Sequence, residues 1–219
     1  MYILRALKTG FEAVLDTVIP LRPRSARTKA LRLEKIPLTP TSHELLGERI
    51  TTLMDYQQPA VRDLIQSLKY DGAGYAAHLC AAVLSEYLSE EIASARMFSQ
   101  KRIVIVPIPL HDARARERGF NQIELVLTSL PEAYRDGEST LIPRVLQRVR
   151  HTTPQTHLAR AERLRNVAGA FAVSNPAIIQ NTHVYLIDDV TTTGSTLVHA
   201  GMALKRAGAE ISLIALARA

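Results

Sequence analysis

Residues 183–219 read HVYLIDDVTTTGSTLVHAGMALKRAGAEISLIALARA, and no other stretch constrains the fold as strongly. Two apolar runs, HVYLIDD and ISLIALARA, flank GSTLVHAGMALKRAG, which has helical character. Strand, helix and strand in that order form a βαβ unit with a right-handed crossover. KRIVIVPIPL, residues 101–110, is a third β-branched run, continuous rather than alternating and stopped by Pro107. That pattern suits a central strand of a parallel sheet covered on both faces.

Helices accompany these strands. In PAVRDLIQSLKYDG, Val61, Leu64, Ile65 and Leu68 fit one helical face, and DG supplies a turn. YAAHLCAAVLSEYLSEEI is a stronger, largely apolar helix, and another opens near Phe120 and runs through NQIELVLTSL. HELLGERITTLMDY is mixed and has no clear assignment, and residues 131–169 are polar, basic and ambiguous. The expected fold is α/β: an open, mainly parallel sheet flanked by helices. Residues 51–219 would form the main domain. Residues 1–50 would be an N-terminal helix and basic connector.

A chain of 219 residues suffices for one substantial core with a small piece beside it. No apolar run approaches the roughly 18–20 residues needed to cross a bilayer, so no membrane insertion is expected. MYILRALKTGFEAVLDTVIPL is interrupted by Glu12 and Asp16 and reads as an amphipathic helix rather than a signal peptide. Cytoplasmic residence is the expectation. The single cysteine, Cys80, excludes an intramolecular disulfide and any multi-cysteine metal site. A net charge of +6 favours anionic partners, either nucleic acid or small phosphorylated compounds. LRPRSARTKALRLEK, residues 21–35, holds six cations and one acid, and reads either as a solvated connector or as a nucleic-acid-binding arm.

The chemistry concentrates at DDVTTTGST. The loop 191–196 follows a buried strand and precedes a helix, at the carboxyl edge where open α/β sheets bind ligands. First-turn helix amides lack intrahelical partners, and the dipole there favours an anion. Gly194 permits close backbone approach, and the Thr and Ser hydroxyls add donors. Together they describe a cup for a phosphate monoester. No Gly-Lys-Ser/Thr phosphate loop and no G-x-G-x-x-G occurs, which counts against a nucleoside triphosphatase and the usual dinucleotide fold. Asp188 and Asp189 could accept hydrogen bonds from ribose hydroxyls, hold Mg²⁺ through water, or cap the following turn. Adjacent strand residues point to opposite faces unless the backbone turns at the strand end.

VYLIDDVTTTGST resembles the phosphoribosyl-pyrophosphate signature of type I phosphoribosyltransferases. SLKYDG (67–72), VPIPLHDARARERGFNQ (106–122) and RVRHTTPQTHLARAERLRNVAGAF (148–171) narrow the resemblance to the ComF/GntX family, over about residues 56–219. This resemblance implies a type I phosphoribosyltransferase-like fold with a small hood or N-terminal extension. It also implies that Asp188 and Asp189 bind the ribose hydroxyls. Thr191, Thr192, Thr193, Gly194, Ser195 and Thr196 would cradle the 5-phosphate.

The remaining assignments keep alternatives. Pro107, Ile108 and Pro109 either form a pyrophosphate loop built on backbone amides or merely stop a strand. Lys69 either supplies charge to the pyrophosphate or complements its helix dipole. Arg118 matches the family motif and offers a fork for phosphate oxygens; Arg114 and Arg116 fit better as surface cations. Asn121 and Gln122 are suited to capping a helix, contacting substrate, or both. Gln155, Arg163, Arg165 and Asn166 lie in a polar stretch that reads as a hood over the substrate.

The resemblance implies displacement of pyrophosphate from ribose C1 by an acceptor, with Mg²⁺ held mainly through the substrate. Family members commonly begin with a cysteine-rich zinc module, and none of its cysteines occurs here, so zinc is not expected. Thr192 stands where hypoxanthine/guanine-type relatives have an acid, which argues against that purine specificity. ComF-like proteins are associated with competence and DNA uptake. The competing expectation is a non-catalytic protein that binds a nucleotide or single-stranded DNA, with DNA-uptake proteins as partners. The sequence does not indicate an oligomeric state.

Overall fold

The computed structural model describes residues 23–71, 73–110, 119–149 and 169–219. The chain enters through helix α1 (Pro23–Lys29) and a short 3-10 turn (Leu33–Lys35), then forms strands β1 (Leu38–Leu45) and β2 (Glu48–Asp55). Helices α2 (Pro59–Tyr70) and α3 (Gly74–Phe98) lead to β3 (Arg102–Pro107). Two short helices follow, α4 (Gln122–Thr128) and α5 (Glu132–Arg135), then β4 (Thr140–Leu141) and β5 (Leu146–Arg148). The chain closes with β6 (Phe171–Val173), α6 (Pro176–Ile179), β7 (Thr182–Thr191), α7 (Ser195–Arg206) and β8 (Glu210–Arg218).

Six strands form the main sheet in the order β1-β2-β8-β7-β3-β4, parallel at every pairing except the β1–β2 hairpin at one edge. β5 and β6 make a separate antiparallel pair. The expected open, mainly parallel sheet is present. Its edge hairpin turns at Leu46 and Gly47, both with positive φ, which matches the twist a two-residue hairpin requires. β1 and the first residues of β2 thus lie before residue 51.

The continuous apolar runs follow from two cores. Ile103, Ile105, Tyr185 and Ile187 face the core under α2, α3 and α4. Their neighbours Val104, Val106, Val184 and Leu186 face the core that includes α7, β5 and β6. With a side-chain period of two and both faces covered, the central positions of these strands are continuously apolar. α7 packs so closely on β8 that a Cβ on Gly201 would lie 2.7 Å from Ile211 and 2.9 Å from Leu213. Ordinary carbon contact needs about 3.5–4.0 Å, so only glycine fits without displacing those side chains.

Candidate functional site

Following the same period of two, Asp188 falls on the α7 side of the sheet and Asp189 on the α2–α4 side. β7 stays extended through Thr191, so the backbone does not turn to bring the two acids onto one face. Their surroundings differ accordingly. Asp189 is buried, and its Oδ2 lies 3.1 Å from Lys69 Nζ and accepts from Gln122 Nε2 at 2.6 Å. Its Oδ1 accepts from the Val190 amide at 2.6 Å. Asp188 is half-buried, and its Oδ1 accepts from the Asp189 amide at 2.8 Å. Enough protein crowds it for burial to push its carboxyl up to about 7, and the Asp189 carboxylate adds to that rise. The Asp189 amide, Lys69 and Arg148 pull the other way.

Each partner reaches the acids for a local reason. Lys69 stands in the last turn of α2, where a cation is favoured. Gln122 is the first residue of α4, and Asn121 caps that helix by accepting from the Ile123 amide at 3.0 Å. Asn121 Nδ2 also donates to the Ile108 carbonyl over 3.1 Å, joining the start of α4 to the end of β3. Asn121 and Gln122 therefore combine helix capping with construction of the acid site.

β3 ends at Pro107, and Ile108 and Pro109 follow it. Prolines carry no N–H, and the Ile108 amide donates to the Ile187 carbonyl at 2.8 Å, continuing the sheet ladder. These three residues offer an anion no free amide. They terminate β3 and, through the Ile108 carbonyl, receive Asn121. No cis peptide bond occurs among the described residues.

The hydroxyl-rich loop has the expected position between β7 and α7. Gly194 is the N-cap of α7 with φ 87°, in the left-handed region. A Cβ there would lie 2.0 Å from Ile50 Cδ1 and 3.4 Å from His43 Nε2. The underside of the loop thus rests on the β1–β2 hairpin. Thr191 and Ser195 are buried, Thr193 and Thr196 half-buried, and Thr192 exposed. Thr193 Oγ1 donates to Ser195 Oγ at 3.2 Å and accepts from the Ser195 amide at 3.4 Å.

Arg114, Arg116, Arg118, Gln155, Arg163, Arg165 and Asn166 lie outside the described residues. The structure adds two residues that the sequence reading passed over, Arg148 and His43. Arg148, on β5, stacks over Phe171 with its guanidinium 5.5 Å from the ring centroid, and its charge reaches Asp188. It begins one of the quoted motifs, which was the available signal. Cys80 is fully buried below the acid site; burial and then Asp189 push its thiol up to about 12. His43 carried no sequence signal, because only the hairpin pairing brings it under the loop.

The sheet order and the strand–acid pair–hydroxyl loop–helix unit define an α/β protein consistent with the phosphoribosyltransferase-like fold. No protein-family model matches the chain. A DNA utilization protein YhgH from Salmonella typhimurium is 32% identical over 164 residues, covering 74% of this chain and 68% of the relative. The protein of that name from Escherichia coli K12 is 33% identical over 167 residues with the same coverage. Competence protein F of Haemophilus influenzae is 32% identical over 163 residues, 71% of this chain and 67% of its own length. The chain belongs to the ComF family.

Proposed function

We propose that the chain binds phosphoribosyl pyrophosphate across the carboxyl edge of β7 and transfers its phosphoribosyl group to an acceptor. The observation that carries this reading is the shared oxygen of Asp189, held by Lys69 and Gln122 on the strand that runs into the Gly194 loop. A cation, two acids and a hydroxyl-rich helix start lie within one short stretch of sheet edge. These are the group types that a pyrophosphate, a ribose diol and a 5-phosphate require.

In this reading Lys69 moves from Asp189 to the pyrophosphate, which frees Asp189 Oδ2 to accept from a ribose hydroxyl. Asp188 accepts the other hydroxyl from the α7 side. The C1–oxygen bond breaks, its electron pair leaves with pyrophosphate, and the acceptor's nucleophile bonds to C1 and releases its proton to solvent. Charge stabilisation and orientation supply the catalysis, and no protein nucleophile is needed. Among the described residues no group of three or more His, Cys, Asp or Glu could hold a metal ion. Mg²⁺ bound to the substrate's pyrophosphate would neutralise charge on the leaving group, with Lys69 beside it as the protein's own cation.

The relatives' names, DNA utilization protein and competence protein, support a role for this chain in DNA uptake or use. Direct capture of DNA by the basic connector is the weaker reading. Arg24 is already paired with Asp71 and Arg27 with Asp63. No helix among the described residues is long and apolar enough to cross a membrane.

Calorimetric titration of Mg²⁺–phosphoribosyl pyrophosphate into wild type and the Asp188→Asn/Asp189→Asn variant tests the reading. Micromolar binding that the double substitution weakens at least tenfold is expected. Equal binding by both proteins, or none by folded wild type, would overturn it. Salt-sensitive binding of single-stranded DNA that survives the substitutions would favour the nucleic-acid reading.

A further inference from the structure

We propose that His43 is a positioning residue for the phosphate loop and takes up a proton from solvent when a phosphate monoester occupies that loop. This rests on the reading of residues 193–196 as a phosphate cup.

The placement is geometric. His43 pairs with Ile50 across the β1–β2 hairpin, and both side chains meet the underside of Gly194. The left-handed φ of Gly194 directs its missing Cβ at Ile50 and the imidazole. The loop cannot shift toward the sheet without striking that ring. An anion at the start of α7 would therefore be separated from the ring by little more than the loop backbone.

Both ring nitrogens of His43 are enclosed, and neither has a partner within hydrogen-bond geometry. Buried polar atoms in native proteins are nearly always satisfied, so an enclosed imidazole without a partner requires a physical reason. Its surroundings supply one. Burial and the charge of Arg218 on β8 hold the ring in its neutral form, while the Thr193 backbone favours protonation. Ile50, Thr193 and Gly194, which also meet the ring, carry no side-chain charge. Glu44, the next residue on β1, is exposed and stands opposite Arg49 in the hairpin register. A phosphate dianion would offset the field of Arg218 and reverse the balance. The protonated ring then has two N–H donors, one of which can serve the Thr193 carbonyl, and it adds positive charge beneath the anion.

By linkage, a ligand that favours the protonated ring binds more tightly as pH falls. The gain is complete below the ring's value in the empty loop. It is lost as pH rises through the value in the filled loop.

Ribose 5-phosphate is the probe, titrated by calorimetry near pH 7.5 in two buffers of different protonation enthalpy. Wild type is expected to take up on the order of half a proton per ligand, as a partial titration near neutrality predicts. His43→Asn should bind roughly three- to tenfold more weakly, in keeping with couplings of this kind, and with the uptake lost. Loss of the uptake in His43→Asn separates the ring from Asp188, which also titrates in this range. Equal uptake by wild type and His43→Asn would overturn the role of His43 while leaving the phosphate cup standing. No binding by folded wild type would overturn the cup itself. A second measurement needs no variant: ¹⁵N-histidine spectra of wild type should show one imidazole passing from neutral to protonated on adding ligand. A titration in which none of the seven histidines gains a proton would overturn the proposal.

Discussion

Lys69 Nζ lies 3.1 Å from Asp189 Oδ2, and Gln122 Nε2 donates to the same oxygen over 2.6 Å. One carboxylate oxygen thus fastens the end of α2 and the start of α4 to the edge of β7. Asp189 is largely enclosed, so removing the lysine charge would leave a buried carboxylate poorly compensated. Lys69→Met should destabilise the fold by about 2–4 kcal/mol, near the range seen when one partner of a buried pair is removed. Adding Asp189→Asn should recover most of that loss, because no unmatched charge remains. Urea unfolding of the two variants at pH 8 measures both effects. No recovery in the double variant would mean that Lys69 stabilises α2 by its packing rather than its charge.

Asp188 predicts a pH dependence of opposite sign to that of a salt-bridged acid. Its folded value is raised to about 7, with burial the leading cause, against about 3.9 for an unperturbed aspartate. The stability linked to this group is fully present below the unfolded value. It is lost as pH rises from about 4 through about 7. Asp188→Asn should therefore flatten the stability profile across that window and exceed wild type above pH 7 by roughly 1–3 kcal/mol. Thermal melts from pH 4 to 8 check the sign. A variant less stable than wild type at pH 8 would show that hydrogen bonding to the carboxylate outweighs its burial.

Gly194 combines two demands that a substitution cannot meet together. Alanine would have to adopt φ 87° and place a Cβ 2.0 Å from Ile50 Cδ1. Gly194→Ala should cost about 1–3 kcal/mol, the range for strained backbone at a functional turn, and weaken ribose 5-phosphate binding at least tenfold. Ile50→Ala in the same protein removes the contact but leaves the strained dihedral, so binding should return only in part. Full recovery in the double variant would assign the whole effect to sterics.

The sequence showed most where two-sided burial acted on it. β3, β7 and β8 were legible because both sheet faces are covered, which forces continuous apolar runs. α2 was legible from the spacing of Val61, Leu64, Ile65 and Leu68. The β1–β2 hairpin was not, because β1 is an edge strand with exposed residues along most of its length. Polar edge residues such as Thr41 and Ser42 bond across to Thr52 and Thr51, and those pairings have no periodic signature. The site divides in the same way. The acids and the Gly194 loop were visible because strand, acids and helix start are consecutive in sequence. The Lys69–Asp189–Gln122 arrangement was not, because its members lie 120 and 67 residues apart and meet only through the fold.

Asp71, two residues beyond Lys69, carries a further contact that links the N-terminal segment to the site. Arg24 donates to it from Nε at 3.1 Å and from Nη2 at 2.9 Å, and Ser25 Oγ donates to the same carboxylate. Arg24 also lies over the Tyr70 ring, Tyr75 donates to the Ser25 carbonyl, and Thr28 meets Ser67. α1 is therefore fastened to the turn that carries Lys69. A two-point guanidinium–carboxylate contact is a strong, directional one. Arg24→Ala should destabilise the protein by about 1–3 kcal/mol, the range for hydrogen bonds to a charged group. Arg24→Lys should restore only part of that, since an ammonium cannot reproduce the fork. The informative comparison is with ligand binding at a temperature where both variants are fully folded. If α1 holds the Lys69 turn in place, Arg24→Ala should weaken phosphoribosyl pyrophosphate binding several-fold while ribose 5-phosphate, which lacks the pyrophosphate, is affected little. Equal weakening of the two ligands would assign α1 a role in general stability rather than in placing Lys69.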